Sequence, residues 1–222
     1  MTEADPALPG IVLISLNAKL IAERDYLKRS TLAHEFGHAV FDGPSMLRQA
    51  GQPAFAMVTP NEGHLLLAKL ESEYHIHIVT QNVDNLHEKA GSTSILHLHG
   101  ELFKVRSTQN PDYILEWKHD LNVGDCDENG YQLRPHIVWF GEDVPAIEEA
   151  IEHCEQADYL AVIGTSLQVY PAAGLLRYTF KETPIFYIDP KPAVLHSLGN
   201  PLTVISKKAS EGVDDLQTLL LS

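Results

Sequence analysis

His34 and His38 stand four residues apart with Glu35 between them, in the stretch TLAHEFGHAVF (31–41). On a helix, two histidines at this spacing share one face and can hold one zinc ion. The glutamate beside them can then act as base on a zinc-bound water, although a catalytic zinc needs a third protein ligand. A second group lies further on. Gln81, Asn82 and Asp84 put two amides and a carboxylate where an apolar run ends, and His99 stands at the end of the next such run, just before Gly100. The carboxyl ends of strands are where open α/β sheets bind ligands, and a histidine there can take a proton near neutral pH. Together these residues describe a polar ligand site with a general base. His75/His77 and His97/His99 each form His-x-His, with both side chains on one face of a strand. A metal cluster at those pairs competes with ordinary hydrogen-bonded histidines, and the ordinary state is the expectation.

The elements that must position these groups follow from hydrophobic periodicity. IVLISL (11–16) is a short β-branched run, a strand or buried segment, and residues 17–43 have helical spacing. Glycine and proline within 42–55 break the pattern and place a boundary between residues 52 and 53. From there the pattern alternates. Helices are predicted over 61–74, 83–91, 145–157, 172–181 and about 212–221, and strands over 75–82, 94–100, 158–166, 183–190 and 201–209. Residues 103–135 are polar and rich in Gly, Asn and Asp, with no regular period. Strands that are apolar throughout, alternating with helices, predict an α/β fold: a Rossmann-like parallel sheet covered on both faces. IVLISL is a candidate for its first strand. Neither G-x-G-x-x-G nor a P-loop is present.

A net charge of −14 over 222 residues argues against nucleic acid as a partner, because the acidic surface repels phosphates. Cys126 and Cys154 are too few for a disulfide framework or a four-cysteine zinc site, and are expected to be packing residues. MTEADPALPG lacks the features of a signal peptide, and no apolar run reaches membrane-spanning length. A soluble cytoplasmic protein without a membrane partner is therefore expected.

TQNVDNLH (80–87), HLHGELF (97–103), LRPHIVWFGEDVP (133–145) and VIGTSLQVYPAAGL (162–175) resemble, in this order, the motifs of sirtuins, the NAD-dependent protein deacylases. YIDP (187–190) and KKASEGVDDL (207–216) fit as well, so the likeness spans about 53–222. The resemblance implies NAD as cofactor and an acylated-lysine protein or peptide as substrate. His99 matches the catalytic base that deprotonates a ribose hydroxyl. Gln81, Asn82 and Asp84 match the pocket around the nicotinamide ribose. Gly164, Thr165 and Ser166 match the turn that holds the phosphates and ribose, a role suited to backbone N–H donors. Asp189 and Ala209 match positions on the cofactor side. Val138, Phe140 and Gly141 match the segment that pairs with the substrate backbone as an added strand, and Val169 and Tyr170 the opposite side of that groove.

The chain departs from the sirtuin pattern in two places. The stretch 101–133, where sirtuins carry zinc on two cysteine pairs, holds only Cys126, so this small irregular module is expected to be metal-free. The opening G-A-G-I-S turn and the S-G-I-P-x-F-R cofactor loop are missing. In their place, about residues 9–52 resemble the start of an ImmA/IrrE-type metallopeptidase domain, with TLAHEFGHAVF as its zinc helix. That family takes its third zinc ligand from a following helix, where Glu62 is the near candidate, although the same stretch fits a sirtuin helix better through Pro60, Asn61, His64 and Glu71. The sequence thus divides into a metallopeptidase-like fragment (1–52) and a sirtuin-like domain (53–222). Its first functional expectation is an NAD-dependent protein-lysine deacylase lacking part of the usual cofactor site. The alternatives are a zinc peptidase using His34, Glu35 and His38, and a non-catalytic nucleotide- or peptide-binding module.

Overall fold

In the computed structural model, residues 9–15, 59–165, 167, 170–195 and 198–221 are described. The helical stretch 17–43 with His34, Glu35 and His38 lies outside them, as do Ser166 and Val169.

IVLISL takes the central place that its composition suits. Strand β1 (Gly10–Ser15) pairs in parallel with β2 (His75–Thr80) on one side and β7 (Tyr159–Ile163) on the other. With β3 (Ile95–His97), β8 (Ile185–Ile188) and β9 (Leu202–Ile205) this makes a six-stranded sheet in the order β3-β2-β1-β7-β8-β9, every pairing parallel. Ile11 and Leu13 face one apolar cluster, Val12 and Ile14 the other, and all four are at most 1% exposed. A strand buried on both faces cannot alternate with polar residues, which is why this run reads as continuously apolar. The sequence boundary at 52/53 therefore does not divide the sheet.

Helices α1 (Glu62–Leu70) and α4 (Ala209–Leu220) cover the first face through Leu67, Leu70, Val213 and Leu216. Between β2 and β3 lies the short helix α2 (Leu86–Ala90). On the second face, α3 (Ile147–Glu155) packs through Ala150 and Cys154 beside residues 172–178. That last stretch is a 3-10 helix rather than the α-helix its spacing predicts.

The irregular module is a correction to the sequence reading. A second sheet of three antiparallel strands, β4 (Gly100–Ser107), β5 (Ile114–Glu116) and β6 (Leu133–Ile137), frames it in the order β5-β4-β6, with turns and loops between. Its strands are short and half exposed, so they carry no apolar run for periodicity to find. The predicted strand 94–100 is likewise two pieces: β3 stops at His97, residues 98–99 turn, and β4 starts at Gly100. Gly100 has φ of 80°, and a Cβ there would overlap the backbone carbonyl of His136. No residue but glycine suits this crossing between the two sheets.

Candidate active site

Strand order reverses between β1 and β7, and in open α/β sheets the crevice beyond the carboxyl ends at such a point takes the ligand. The residues leaving β2, β3, β7 and β8 at that edge are the ones singled out from sequence. Asn82 is 7% exposed, and its N–H donates to the Thr80 hydroxyl at 3.0 Å. Asp84 accepts from the Leu86 N–H at 3.0 Å in the turn that leads into α2, which Gly91 closes in the left-handed conformation with φ of 101°. Gln81 buries its side-chain nitrogen without a hydrogen-bond partner. A buried amide donor left unpaired is costly unless a ligand or water completes it.

His99 is half-buried in the turn between the sheets, and its carbonyl accepts from the Val138 N–H at 2.9 Å. Burial lowers the imidazole's pKa from its usual range, outweighing a hydrogen bond with the Gln81 backbone. The ring is thus neutral near pH 7 and free to accept a proton. The same backbone bond sets the loop carrying Phe140 and Gly141 against the histidine. Phe140 is 91% exposed and Gly141 has φ of 90°. Behind them Arg134 grips Glu142 through two contacts of 2.7 and 3.1 Å, and Glu142 also takes the Trp139 N–H at 3.0 Å. Burial would raise the Glu142 carboxyl, but Arg134 and the Trp139 N–H hold it below its usual range.

Beyond β7, Gly164 takes φ of 66° and a Cβ there would meet open space. Its own N–H is not free for a ligand, because it donates to the Ile188 carbonyl at 2.8 Å. Thr165 is buried and its hydroxyl accepts from the Leu167 N–H at 3.0 Å. The turn is pinned by Tyr187, whose hydroxyl donates to the Thr165 carbonyl at 2.8 Å and accepts from the Ala193 N–H at 3.0 Å. Asp189 leaves β8 and accepts from the Lys191 N–H at 2.7 Å. Ala209 opens α4 with its side chain in the core, where its backbone closely approaches Gly63 of α1. Tyr170 is exposed beside the 3-10 helix.

Sequence reasoning missed the second layer behind this edge. His64 completes the cap of α1 with Asn61 and packs on His87, their ring centroids 4.8 Å apart. Burial and the neighbouring His64 push the His87 pKa down to about 4. The His-x-His pairs are taken up by hydrogen bonds. His77 meets the Ser94 hydroxyl at 2.8 Å and stacks on His153, while His97 lies between Asn82 and Glu88.

Among the described residues one group, Glu88, His97 and Glu101, brings three ligand-type atoms within 4.8 Å of one another. It is closed by its own charges: His97 bonds Glu88 at 2.8 Å and Lys104 bonds Glu101 at 2.6 Å. Glu62, the third-ligand candidate, is exposed at the start of α1. Cys126 and Cys154 are free thiols, one exposed and one buried, and burial pushes the Cys154 pKa up to about 12.

The Sir2 family profile matches residues 26–171. The chain belongs to the Sir2 family. This sirtuin is 52% identical over 170 residues to an NAD-dependent protein deacylase of Bacteroides thetaiotaomicron, covering 74% of this chain and 72% of the relative. It is 51% identical over 164 residues to one of Helicobacter pylori, covering 74% and 71%. Among solved structures, a Sir2 homologue in complex with NAD superposes with a TM-score of 0.73 at 28% identity, over 97% of this chain and 90% of the other. A mutant Sir2 homologue bound to ADP-ribose gives 0.68 at 28% identity, over 97% and 95%. The family match begins at residue 26 and so takes in residues 26–52 of the segment likened to a metallopeptidase. The metallopeptidase reading gains no support from these comparisons. Among the described residues of this sirtuin, no helix is long and apolar enough to cross a membrane.

Proposed function

We infer that this sirtuin is an NAD-dependent protein deacylase that removes acyl groups from lysine side chains, with His99 as its general base. The observation that carries the assignment is the half-buried His99 where the two sheets meet, its imidazole held below its usual pKa by burial. Beside it stand the buried, unpaired Gln81 amide, just after β2, and the exposed Phe140, two residues past the Val138 N–H that bonds the His99 carbonyl. NAD fits the edge on the same ground, since a bound ribose or amide would satisfy the buried Gln81 donor and the open face of Gly164 leaves room for a close approach. When bound, NAD supplies the electrophilic sugar carbon and the ribose hydroxyls to which the acyl group passes.

The chain's own residues bind, orient and move one proton. His99 accepts it at an unprotonated ring nitrogen. Gln81, Asn82 and Asp84 orient the nicotinamide ribose. Gly164, Thr165 and Ser166 hold the phosphates and ribose, and Asp189 and Ala209 lie toward the adenosine end. Val138, Phe140 and Gly141 pair with the substrate backbone on one side, Val169 and Tyr170 on the other. The module around β4–β6 works without zinc, and the domain proper starts near residue 53 with β1 supplied from upstream.

A thermal melt with and without excess NAD tests the assignment, followed by turnover of an acyl-lysine peptide. Ligand at a hundred times its dissociation constant adds about 2.7 kcal/mol of stability. An upward shift, with turnover abolished by His99→Ala, is the expected result. Binding with no turnover would favour a non-catalytic module. Stoichiometric zinc, lost with His34→Ala, would instead favour the peptidase.

A further inference from the structure

His97 takes no part in the chemistry above, yet its side chain is only 7% exposed. Nδ1 lies 2.9 Å from the Asn82 carbonyl oxygen and Nε2 lies 2.8 Å from Glu88 Oε1. A backbone carbonyl has no proton to give, and neither has an ionised carboxylate. With Glu88 ionised, both ring nitrogens carry hydrogen and the side chain is an imidazolium. One ring thus joins the end of β3 to Asn82, two residues past β2, and to helix α2.

We propose that His97 is a positioning residue for the nicotinamide side of the site: as an imidazolium it clamps the Asn82 carbonyl against α2, and its deprotonation loosens the 81–84 segment and weakens NAD binding. The inference rests on the sirtuin reading of that segment. Glu88 of α2 and Glu101 of β4 favour the charged ring, while His87 of α2 faces it as well, and Lys104 offsets Glu101. Burial opposes the charge, but the bonds with Glu88 and Asn82 outweigh it and hold the pKa above the ordinary 6.5. Burial would also raise the Glu88 carboxyl, but His97 holds it below its usual range. A group raised on folding contributes fully below its unfolded pKa, so the clamp is complete below pH 6.5 and is lost as pH rises through the folded value.

Calorimetric NAD titrations of the full chain from about pH 6 to 9 test this, beside hydrogen exchange of segment 81–86 without ligand, corrected for intrinsic rates. The wild type is expected to lose about tenfold in NAD affinity across that range, with matching loss of protection. Glu88→Ala is expected to bind about tenfold more weakly at low pH. Glu88→Gln is the deciding variant: its amide can donate to an unprotonated Nε2, so the clamp survives without charge and both pH dependences flatten. Wild-type affinity that does not change with pH, or an alkaline loss that persists in Glu88→Gln, overturns the role of His97 and leaves the sirtuin reading standing. A cooperatively folded wild type that binds no NAD at any pH overturns both.

Discussion

The parallel sheet and the three-stranded antiparallel sheet are joined at Gly100 and held by different forces. In the first, β1 is enclosed on both faces by Ile, Leu and Val, and each fully buried side chain of this kind contributes about 1.5–3 kcal/mol. In the second, polar side chains staple the backbone. The Gln132 amide nitrogen reaches the carbonyls of Asn122, Asp125 and Leu133 at 3.0–3.1 Å, and its oxygen accepts from the Gly124 N–H at 2.8 Å. Asp127 accepts from Asn129 and Tyr131, both at 2.9 Å. Hydrogen bonds contribute modestly each but are directional, so they set turn geometry where little apolar area is available. The proposed site lies where the two sheets meet, between the carboxyl edge of the parallel sheet and the loop after β6 that Arg134 and Glu142 hold.

The largest expected effect tests the seam itself. His99→Ala should lower deacylation by about 100- to 10,000-fold while NAD still binds, checked by kcat with calorimetric binding. In the wild type, kcat/KM should fall with acid only below pH 6.5, because His99 is lowered from that value and must be unprotonated to act. An acid limb centred well above pH 6.5 would assign the base elsewhere, and the alkaline loss expected from His97 is a separate limb. Leu13→Ala probes the buried sheet and should cost about 2–5 kcal/mol by denaturant melt. A small effect would mean that β1 is not the centre of the core. Gly100→Ala combines an unfavourable positive φ with the His136 overlap and should cost more than about 2 kcal/mol while lowering activity. Gln132→Ala should cost only about 1 kcal/mol, read as a small Tm shift with NAD affinity unchanged. Treatment with EDTA should leave the melt where it is, and a fall would return a metal to the account.

The α/β class was legible because buried parallel strands need apolar runs, and 11–14, 159–163 and 185–188 supply them, while β2 (HIHIVT) is interrupted by His75 and His77. The placing of His99, Asn82 and Asp84 beyond the ends of the sheet strands was legible because polar residues follow the buried runs there. The antiparallel sheet was not, because half-exposed strands such as Ile114–Glu116 mix polar and apolar residues without a period. The 3-10 geometry of 172–178 also escaped, since helical spacing does not separate it from an α-helix over so short a stretch.

What the sequence determined by itself is local and chemical: which runs must be buried, which residue types can take a proton or meet a ribose, and the family to which they belong. Tertiary structure decided the rest, because it depends on contacts far apart in the chain. Placing Gly10–Ser15 between strands that begin at His75 and Tyr159 makes an N-terminal run the middle of the sheet. Bringing Glu88 and Asn82 to the two nitrogens of His97 raises the pKa of a histidine that periodicity leaves unremarkable, and Gly100 against the His136 carbonyl fixes where one sheet ends and the other begins.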